Sequence, residues 1–314
     1  MNIHSAYSLE AERMSNHQTI LITGATAGIG RHAAIYLAGK GHRVIATGRS
    51  RDALDRLRAE HSDLALDAVR LDVTDPASIE LAVREVERIT GGRGIDAVVN
   101  NAGYGQAGPL AELDEAILRA QFETNVFGLM RVTRAFLPQL LARRSGRVVN
   151  ISSIGGRVTF PLFGAYHASK YAVEAISDAL RNELRPFGVQ VALIEPGPIR
   201  SEFGDRAVAT AQSAVNAESR YARLIVKADQ LKALSERMVV GPEATSRALE
   251  RALTARRPRA RYVVPFSSWL MLLGLRLLPT FVVDAIMRRM VGLTPRALGL
   301  GRPAPLVAAG ETGR

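Results

Sequence analysis

Short β-rich runs, most of them apolar on both faces, alternate along this chain with amphipathic stretches long enough to be helices. The runs lie at residues 19–23, 44–47, 68–71, 97–100, 147–151 and 189–194. A strand with no polar face must be covered on both sides, which is the situation of a parallel sheet whose connections are crossover helices. The pattern predicts an α/β fold, a doubly wound and mostly parallel sheet with helices on both faces. Residues 202–238 break the rhythm with a polar, alanine-rich helical stretch, expected to act as a lid over a substrate site at the carboxyl ends of the strands. Residues 263–283 are mostly apolar, with Trp269, Leu270, Met271, Leu272 and Leu273 in one run, interrupted by Arg276 and Pro279. The expected organisation is a flexible N-terminal tail (1–17), a main domain (18–264), an apolar and basic helical extension (265–300) and a tail rich in Gly, Pro and Ala (301–314). Met14 is a candidate natural start, because what precedes it has no periodicity.

Composition narrows this picture. Hydrophobic residues at 47% and charged residues at 23% exclude a disordered or fibrous chain. The absence of cysteine excludes disulfides and thiolate chemistry, and with no apolar leader in residues 1–17 it points to a cytoplasmic protein. The formal charge of +11 would suggest nucleic acid if it were evenly spread. From Arg251 onward, however, eleven arginines face only Asp284 and Glu311, so nearly all the excess belongs to the apolar C-terminal segment. That segment lacks a basic groove with stacking aromatics, so a nucleic-acid partner is not expected. A spanning helix needs about 20 apolar residues without an arginine near the middle. Two readings of 265–293 remain: a lid or subunit contact that buries it, and peripheral attachment to a membrane with Arg288 and Arg289 facing anionic lipid.

The first strand is followed by Thr23-Gly24-Ala25-Thr26-Ala27-Gly28-Ile29-Gly30 and a helical run from Arg31. Glycines there allow a tight strand-to-helix turn, let the backbone approach a pyrophosphate and aim the positive end of the helix at it. This is the Rossmann-type arrangement for a dinucleotide. An acid at the end of the second strand would bind the ribose 2′-hydroxyl and repel a 2′-phosphate. Gly48 stands in that place, and Arg49 beside it can offer a guanidinium. NADP(H) is the expected cofactor, with NAD(H) as the alternative.

Tyr166 and Lys170, four apart on a helical stretch, share one face. A nearby ammonium, aided by a positive nicotinamide, is expected to lower the phenol's pKa from its ordinary ~10 and make it a proton exchanger. The six histidines show no ligand spacing, so no metal is expected. Ser152 and Ser153 lack the flanking glycines of a nucleophile elbow. His167 is read as a helix-surface residue rather than a third catalytic group.

Together these pieces resemble the short-chain dehydrogenase/reductase family across roughly residues 20–202. The matching motifs are the Thr23–Gly30 loop, Asp72-Val73, Asn100-Asn101-Ala102-Gly103, Asn125, Ser152-Ser153, Tyr166 with Lys170, and Pro196-Gly197. The resemblance implies a catalytic set of Asn125, Ser153, Tyr166 and Lys170, Ser153 being chosen because it precedes Tyr166 by the family's thirteen residues. In the family the lysine also holds the nicotinamide ribose and the asparagine anchors a water in the proton path. It also implies that Asp72 and Val73 meet the adenine, that Asn100, Ala102 and Gly103 line the cofactor, and that Pro196, Gly197, Ile199 and Ser201 border the nicotinamide. The runs 100–105 and 195–203 are most similar to the branch containing 17-beta-hydroxysteroid and retinol dehydrogenases. A lipophilic ketone, aldehyde or secondary alcohol is the substrate this implies, and a homodimer or homotetramer the assembly. The rival is a non-catalytic dinucleotide sensor or scaffold, which would not need a proton relay.

Overall fold

The computed structural model describes residues 17–216, 218–225, 239–295 and 298–299. Met14, most of the expected N-terminal tail, the 301–314 tail and 226–238 of the expected lid lie outside these described residues. Within them the elements follow in the order β1 (Thr19–Ile22), α1 (Gly28–Gly39), β2 (Arg43–Gly48), α2 (Arg51–Glu60), β3 (Leu66–Arg70), α3 (Pro76–Thr90) and β4 (Ala97–Asn100). Next come α4 (Glu115–Phe122), a π-helical turn (Glu123–Gly128), α5 (Leu129–Ala142), β5 (Gly146–Ile151), α6 (Gly164–Leu184) and β6 (Val189–Pro196). The last elements are α7 (Phe203–Ser213), α8 (Ala222–Ile225), α9 (Glu243–Thr254), β7 (Arg261–Val264), α10 (Phe266–Leu277) and α11 (Thr280–Met290).

The sheet is the doubly wound one expected, with strand order β3-β2-β1-β4-β5-β6-β7 and every pairing parallel. Period-two alternation divides its residues between two cores. Ile20, Ile22, Val44, Ala46, Ala97 and Val99 face α1, α2 and α9. Leu21, Ile45, Val98, Val148 and Val191 face α3, α5 and α6 through Ile79, Phe136 and Leu180. Local signals set the helix ends: the Asp75 side chain accepts from the Ala77 amide, Pro76 opens α3, and Gly91 at φ 61 closes it.

Six strands coincide with the apolar runs, and the seventh was not anticipated. β7 is an edge strand, with Leu193 paired to Arg261 and Pro196 to Val264. Its four residues are only partly buried, so it has no fully apolar run of its own. The apolar stretch 263–283 is therefore the end of a strand followed by α10, broken at Leu278-Pro279 before α11.

Helix α9 closes the sheet against α1: His32 Nδ1 lies 2.7 Å from Ser246 Oγ, and the Tyr36 hydroxyl donates to Glu250 at 2.6 Å. Leu249 at its centre is wholly buried. Leu249→Ala is expected to lower the free energy of unfolding by about 2–5 kcal/mol. Equilibrium urea denaturation checks this, and a negligible loss would mean that α9 is not packed against the sheet.

Candidate active site

The strand order reverses between β1 and β4, and an open parallel sheet leaves a crevice at the carboxyl end of such a point. Here the two strand ends are clasped together. Thr23 Oγ1 accepts from the amides of Asn101 and Ala102, each at 2.9 Å, and Asn101 Nδ2 donates to the carbonyls of Thr23 at 2.9 Å and Gly24 at 3.1 Å. A Cβ on Gly30 would collide with Asn101 Nδ2 and the Gly24 carbonyl, so glycine is required where helix and loop approach so closely.

The same loop supplies a cradle. Gly24 and Gly28 have φ of +65° and +53°. Ala27, before α1, makes no side-chain cap, and no acid stands in the first turn. The amides of Gly28, Ile29 and Gly30 thus have no partner within the helix. Beyond the missing Cβ of Gly28 the nearest group is Ser201 Cβ at 3.5 Å, so the cleft runs between the loop crest and the segment after β6. Bare amides, missing Cβ atoms and an uncapped helix fit the pyrophosphate of a dinucleotide.

At the end of β2 a Cβ on Gly48 would stand 2.8 Å from Thr26 Cγ2, so the corner has no room for an acidic side chain. Arg49 is exposed there. Arg70, the register partner of Gly48, donates from Nε to the Arg49 carbonyl at 3.3 Å. Sequence reasoning missed this second guanidinium, because only the β2–β3 register reveals it.

Other expected cofactor residues divide by what their side chains already do. Asp72 Oδ1 accepts from the Thr74 amide at 2.9 Å and the Thr74 hydroxyl at 2.7 Å, closing the turn before α3. Val73 is buried. Asn100 donates to Thr133 Oγ1 and Asn150 Oδ1, both at 2.8 Å, so its amide group is committed to the interior and only its main chain faces the cleft. Ala102 is held by Thr23, and Gly103 is exposed beside Asn125, whose Oδ1 would stand 3.0 Å from a Cβ there. Pro196 ends β6, Gly197 donates to the Val264 carbonyl at 2.7 Å, Ile199 bridges to Val240, and Ser201 Oγ bonds the Ile199 carbonyl at 3.4 Å.

The four candidate catalytic residues come together. Asn125 is buried in the π-helical turn, where its Nδ2 donates to the Tyr104 carbonyl and to Ser169 Oγ at 3.0 Å and its Oδ1 accepts from the Tyr104 amide at 3.1 Å. Such turns interrupt the regular backbone ladder and are frequent at functional sites. Lys170 Nζ donates to the Ile151 carbonyl at 2.7 Å and lies 5.8 Å from the Tyr166 ring centroid. Ser153 Oγ accepts from the Gly155 amide at 3.0 Å, donates to the Pro196 carbonyl at 3.4 Å, and acts on the Tyr166 phenol to lower its pKa.

Burial dominates the electrostatics of this group. It pushes the Tyr166 phenol up to about 12, with the Ser153 hydrogen bond offsetting only part of the rise. It pushes Lys170 down to about 8, against the pull of Glu174 one turn along α6. In the chain by itself, then, burial sets the phenol, and the lowering expected from the lysine together with a positive nicotinamide is not seen without the nicotinamide. His167 also differs from expectation. It is buried rather than on the helix surface, its Nδ1 accepts from the Phe160 amide at 3.1 Å, and burial holds the ring neutral with a pKa of about 4.

An apolar wall stands beside Tyr166. The Phe203 ring lies 5.1 Å from the Tyr166 ring, in the space that a Cβ on Gly105 would occupy. Ala107, Ala207 and Ala211 cluster behind it with Leu162 and Phe163. Thr210 ties α7 down by accepting from the Ala107 amide at 3.1 Å.

The family model described as short chain dehydrogenase matches residues 18–212. This chain belongs to the short-chain dehydrogenase/reductase family. Among its relatives, the uncharacterised oxidoreductase YbbO of Escherichia coli K12 is 36% identical over 271 residues, covering 86% of this chain and 94% of YbbO. NADPH-dependent 3-dehydrocapnine reductase of Ornithobacterium rhinotracheale is 32% identical, with 85% and 94% covered. Retinol dehydrogenase 16 of Rattus norvegicus is 35% identical, with 85% and 86% covered. A crystal structure of a short-chain dehydrogenase from Streptomyces avermitilis superposes with a TM-score of 0.70 at 33% identity, covering 91% of this chain and 98% of that one. This short-chain dehydrogenase/reductase is accordingly an NAD(P)-dependent oxidoreductase.

Because the clasp leaves no space at Gly30, Gly30→Ala is expected to abolish dinucleotide binding while most helical signal survives. Calorimetry with NADPH beside far-ultraviolet circular dichroism tests this; unchanged affinity would mean that the loop does not hold the cofactor.

Proposed function

We propose that this short-chain dehydrogenase/reductase transfers hydride between NADP(H) and a lipophilic ketone, aldehyde or secondary alcohol of steroid, retinoid or lipid type, with reduction as the favoured direction. The observation that carries this reading is the buried Tyr166 hydroxyl, which has Ser153 and Lys170 beside it and the Phe203 wall against its ring. A bound reduced nicotinamide would supply the hydride. The chain's own residues then handle the proton. Tyr166, kept protonated by burial, donates from its hydroxyl to the carbonyl oxygen as charge develops there, because an alkoxide is a much stronger base than a phenolate. Ser153 hydrogen-bonds the same oxygen and fixes its line of approach. Lys170, anchored on the Ile151 carbonyl, has further N–H donors to offer the ribose hydroxyls. Asn125 holds the Tyr104 backbone and the π-turn in register, the place from which a relay water would be bound.

Apolar Leu162, Phe163 and Phe203 support a lipophilic substrate, in keeping with relatives whose names specify retinol and dehydrocapnine. Residues 202–216 and 218–225 serve as the described part of the lid. Exposed Phe127 and Tyr171, on the π-turn and α6, suit self-association into a homodimer or homotetramer through these helices.

Two outcomes are expected. With NADPH and a panel of lipophilic carbonyls, Tyr166→Phe lowers kcat by roughly 10²- to 10⁴-fold. The wild-type kcat/KM, which reports the free enzyme, should hold steady at neutral pH and fall as the pH rises through about 8, where Lys170 loses its proton. Activity untouched by Tyr166→Phe would leave the sensor or scaffold reading. The second outcome concerns the cofactor: Arg49→Ala with Arg70→Ala should raise the KM for NADPH roughly ten- to a hundredfold, since charged hydrogen bonds to a phosphate are worth about 1.5–3 kcal/mol, and leave that for NADH nearly unchanged. A wild-type preference for NADH would defeat the NADP assignment.

A further inference from the structure

Helix α10 is apolar around most of its circumference, including the side that faces outward. Phe266, Trp269, Leu270, Leu273 and Leu277 recur at helical spacing on one stripe, and that stripe faces outward, with exposures of 69%, 44%, 51%, 43% and 77%. Leu278, Phe281, Ile286 and Met290 extend the apolar surface onto α11. Contiguous exposed apolar surface of this kind marks an interaction site. No helix of the described residues is long and apolar enough to cross a membrane, so this surface is not half of a span.

Charge decides between the occupants. Arg276, Arg288 and Arg289 lie on the same two helices, and among the described residues none of them has an ion pair. Asp284 is the only acid on either helix. A symmetric contact with a second copy would bring this same set of cations together across the two-fold axis. An apolar surface flanked by uncompensated arginines complements a bilayer that carries anionic headgroups, with the aromatic rings at the level of the interface.

We propose that the α10–α11 hairpin docks this protein peripherally on an anionic phospholipid bilayer, inserting the Phe266–Leu277 stripe below the headgroups. The hairpin is seated on the active site's own frame: Ser268, buried at the start of α10, fills the space beside Gly197 next to the Pro196 carbonyl that Ser153 contacts at 3.4 Å. Docking therefore brings the catalytic cleft to the surface from which a lipophilic substrate would come. The docking itself does not depend on the catalytic assignment.

Trp269 is the only tryptophan in the chain and lies on the stripe, so its fluorescence reports on this surface alone. The full chain is mixed with vesicles of phosphatidylcholine, with or without 30% phosphatidylglycerol by design. Flotation and a shift of Trp269 emission to shorter wavelength are expected with the anionic vesicles only. Leu270→Asp with Leu273→Asp should abolish both. Arg276→Glu, Arg288→Glu and Arg289→Glu together should weaken binding by at least roughly a hundredfold, about a factor of five for each lost arginine. Circular dichroism and NADPH binding confirm that the variants are folded. Failure to float with anionic vesicles overturns the proposal. So does a lipid-free, concentration-dependent shift of Trp269 that tracks dimer mass and vanishes with the leucine variant, since the face would then be a subunit interface.

Discussion

The close approach of two backbone segments at the carboxyl ends of β1 and β4 is the constraint on which the cleft depends. Asn101 reaches across to two carbonyls of the phosphate loop, and Thr23 reaches back to two amides of the β4 loop. These bonds satisfy groups that the end of a strand would otherwise leave unpaired. They also set the distance at which α1 can start, because Gly30 fits beneath Asn101 only without a side chain. The amides left over at the start of α1 are then those that face outward. The anion-binding geometry is thus a by-product of how the sheet closes its switch point.

A second layer of polar contacts joins α6, which carries Tyr166 and Lys170, to the edge of the sheet. Arg261 on β7 meets Glu174 at 3.0 Å, Glu195 at 3.1 Å and Asp178 at 2.7 Å, and Arg157 meets Glu195 at 3.3 Å. Glu195 is wholly buried, and burial together with Glu174 pushes its carboxyl up to about 7 against the pull of both arginines. Buried charges of this kind add little net stability but are costly to break. Their effect here is placement: α6, β6 and β7 are held in one arrangement, and Glu174 supplies the negative charge nearest Lys170 along its own helix. An edge strand that looks dispensable therefore helps to hold the helix that carries Lys170.

Much of the fold was legible because the central strands are covered on both sides and appear as apolar runs, and the edge strand β3 still reads as a short β-rich run. β7, the other edge strand, was not legible: Arg261, Tyr262, Val263 and Val264 are all only partly buried, and its valines merge with the apolar helix that follows. Chemistry-bearing residues close together in sequence were readable as a site, Tyr166 and Lys170 above all. Residues whose role depends on register or on contact across the chain were not. Arg70 becomes a neighbour of Arg49 only once β3 pairs with β2. Phe203 becomes part of the wall only because Gly105, far away in sequence, leaves room for its ring. His167 was misplaced because helical periodicity gives a residue's angle on α6 but not the Phe160–Phe163 turn that folds over that side.

The burial of Tyr166 bears on the direction of the proposed reaction. A phenol held near 12 is a poor base at neutral pH, so removing a proton from an alcohol would require added positive charge such as an oxidised nicotinamide would bring. The same phenol is a competent acid toward an oxygen that becomes an alkoxide, because the acceptor's basicity rises as the proton is needed. The apolar wall that raises the phenol also excludes water, which would otherwise compete for that oxygen and weaken the hydrogen bond from Ser153. In the proposed reaction, substrate lipophilicity and proton donation draw on a single feature, the apolar face built by Leu162, Phe163 and Phe203. Opening that face to admit a more polar substrate would lower the phenol and weaken the proposed preference for reduction together.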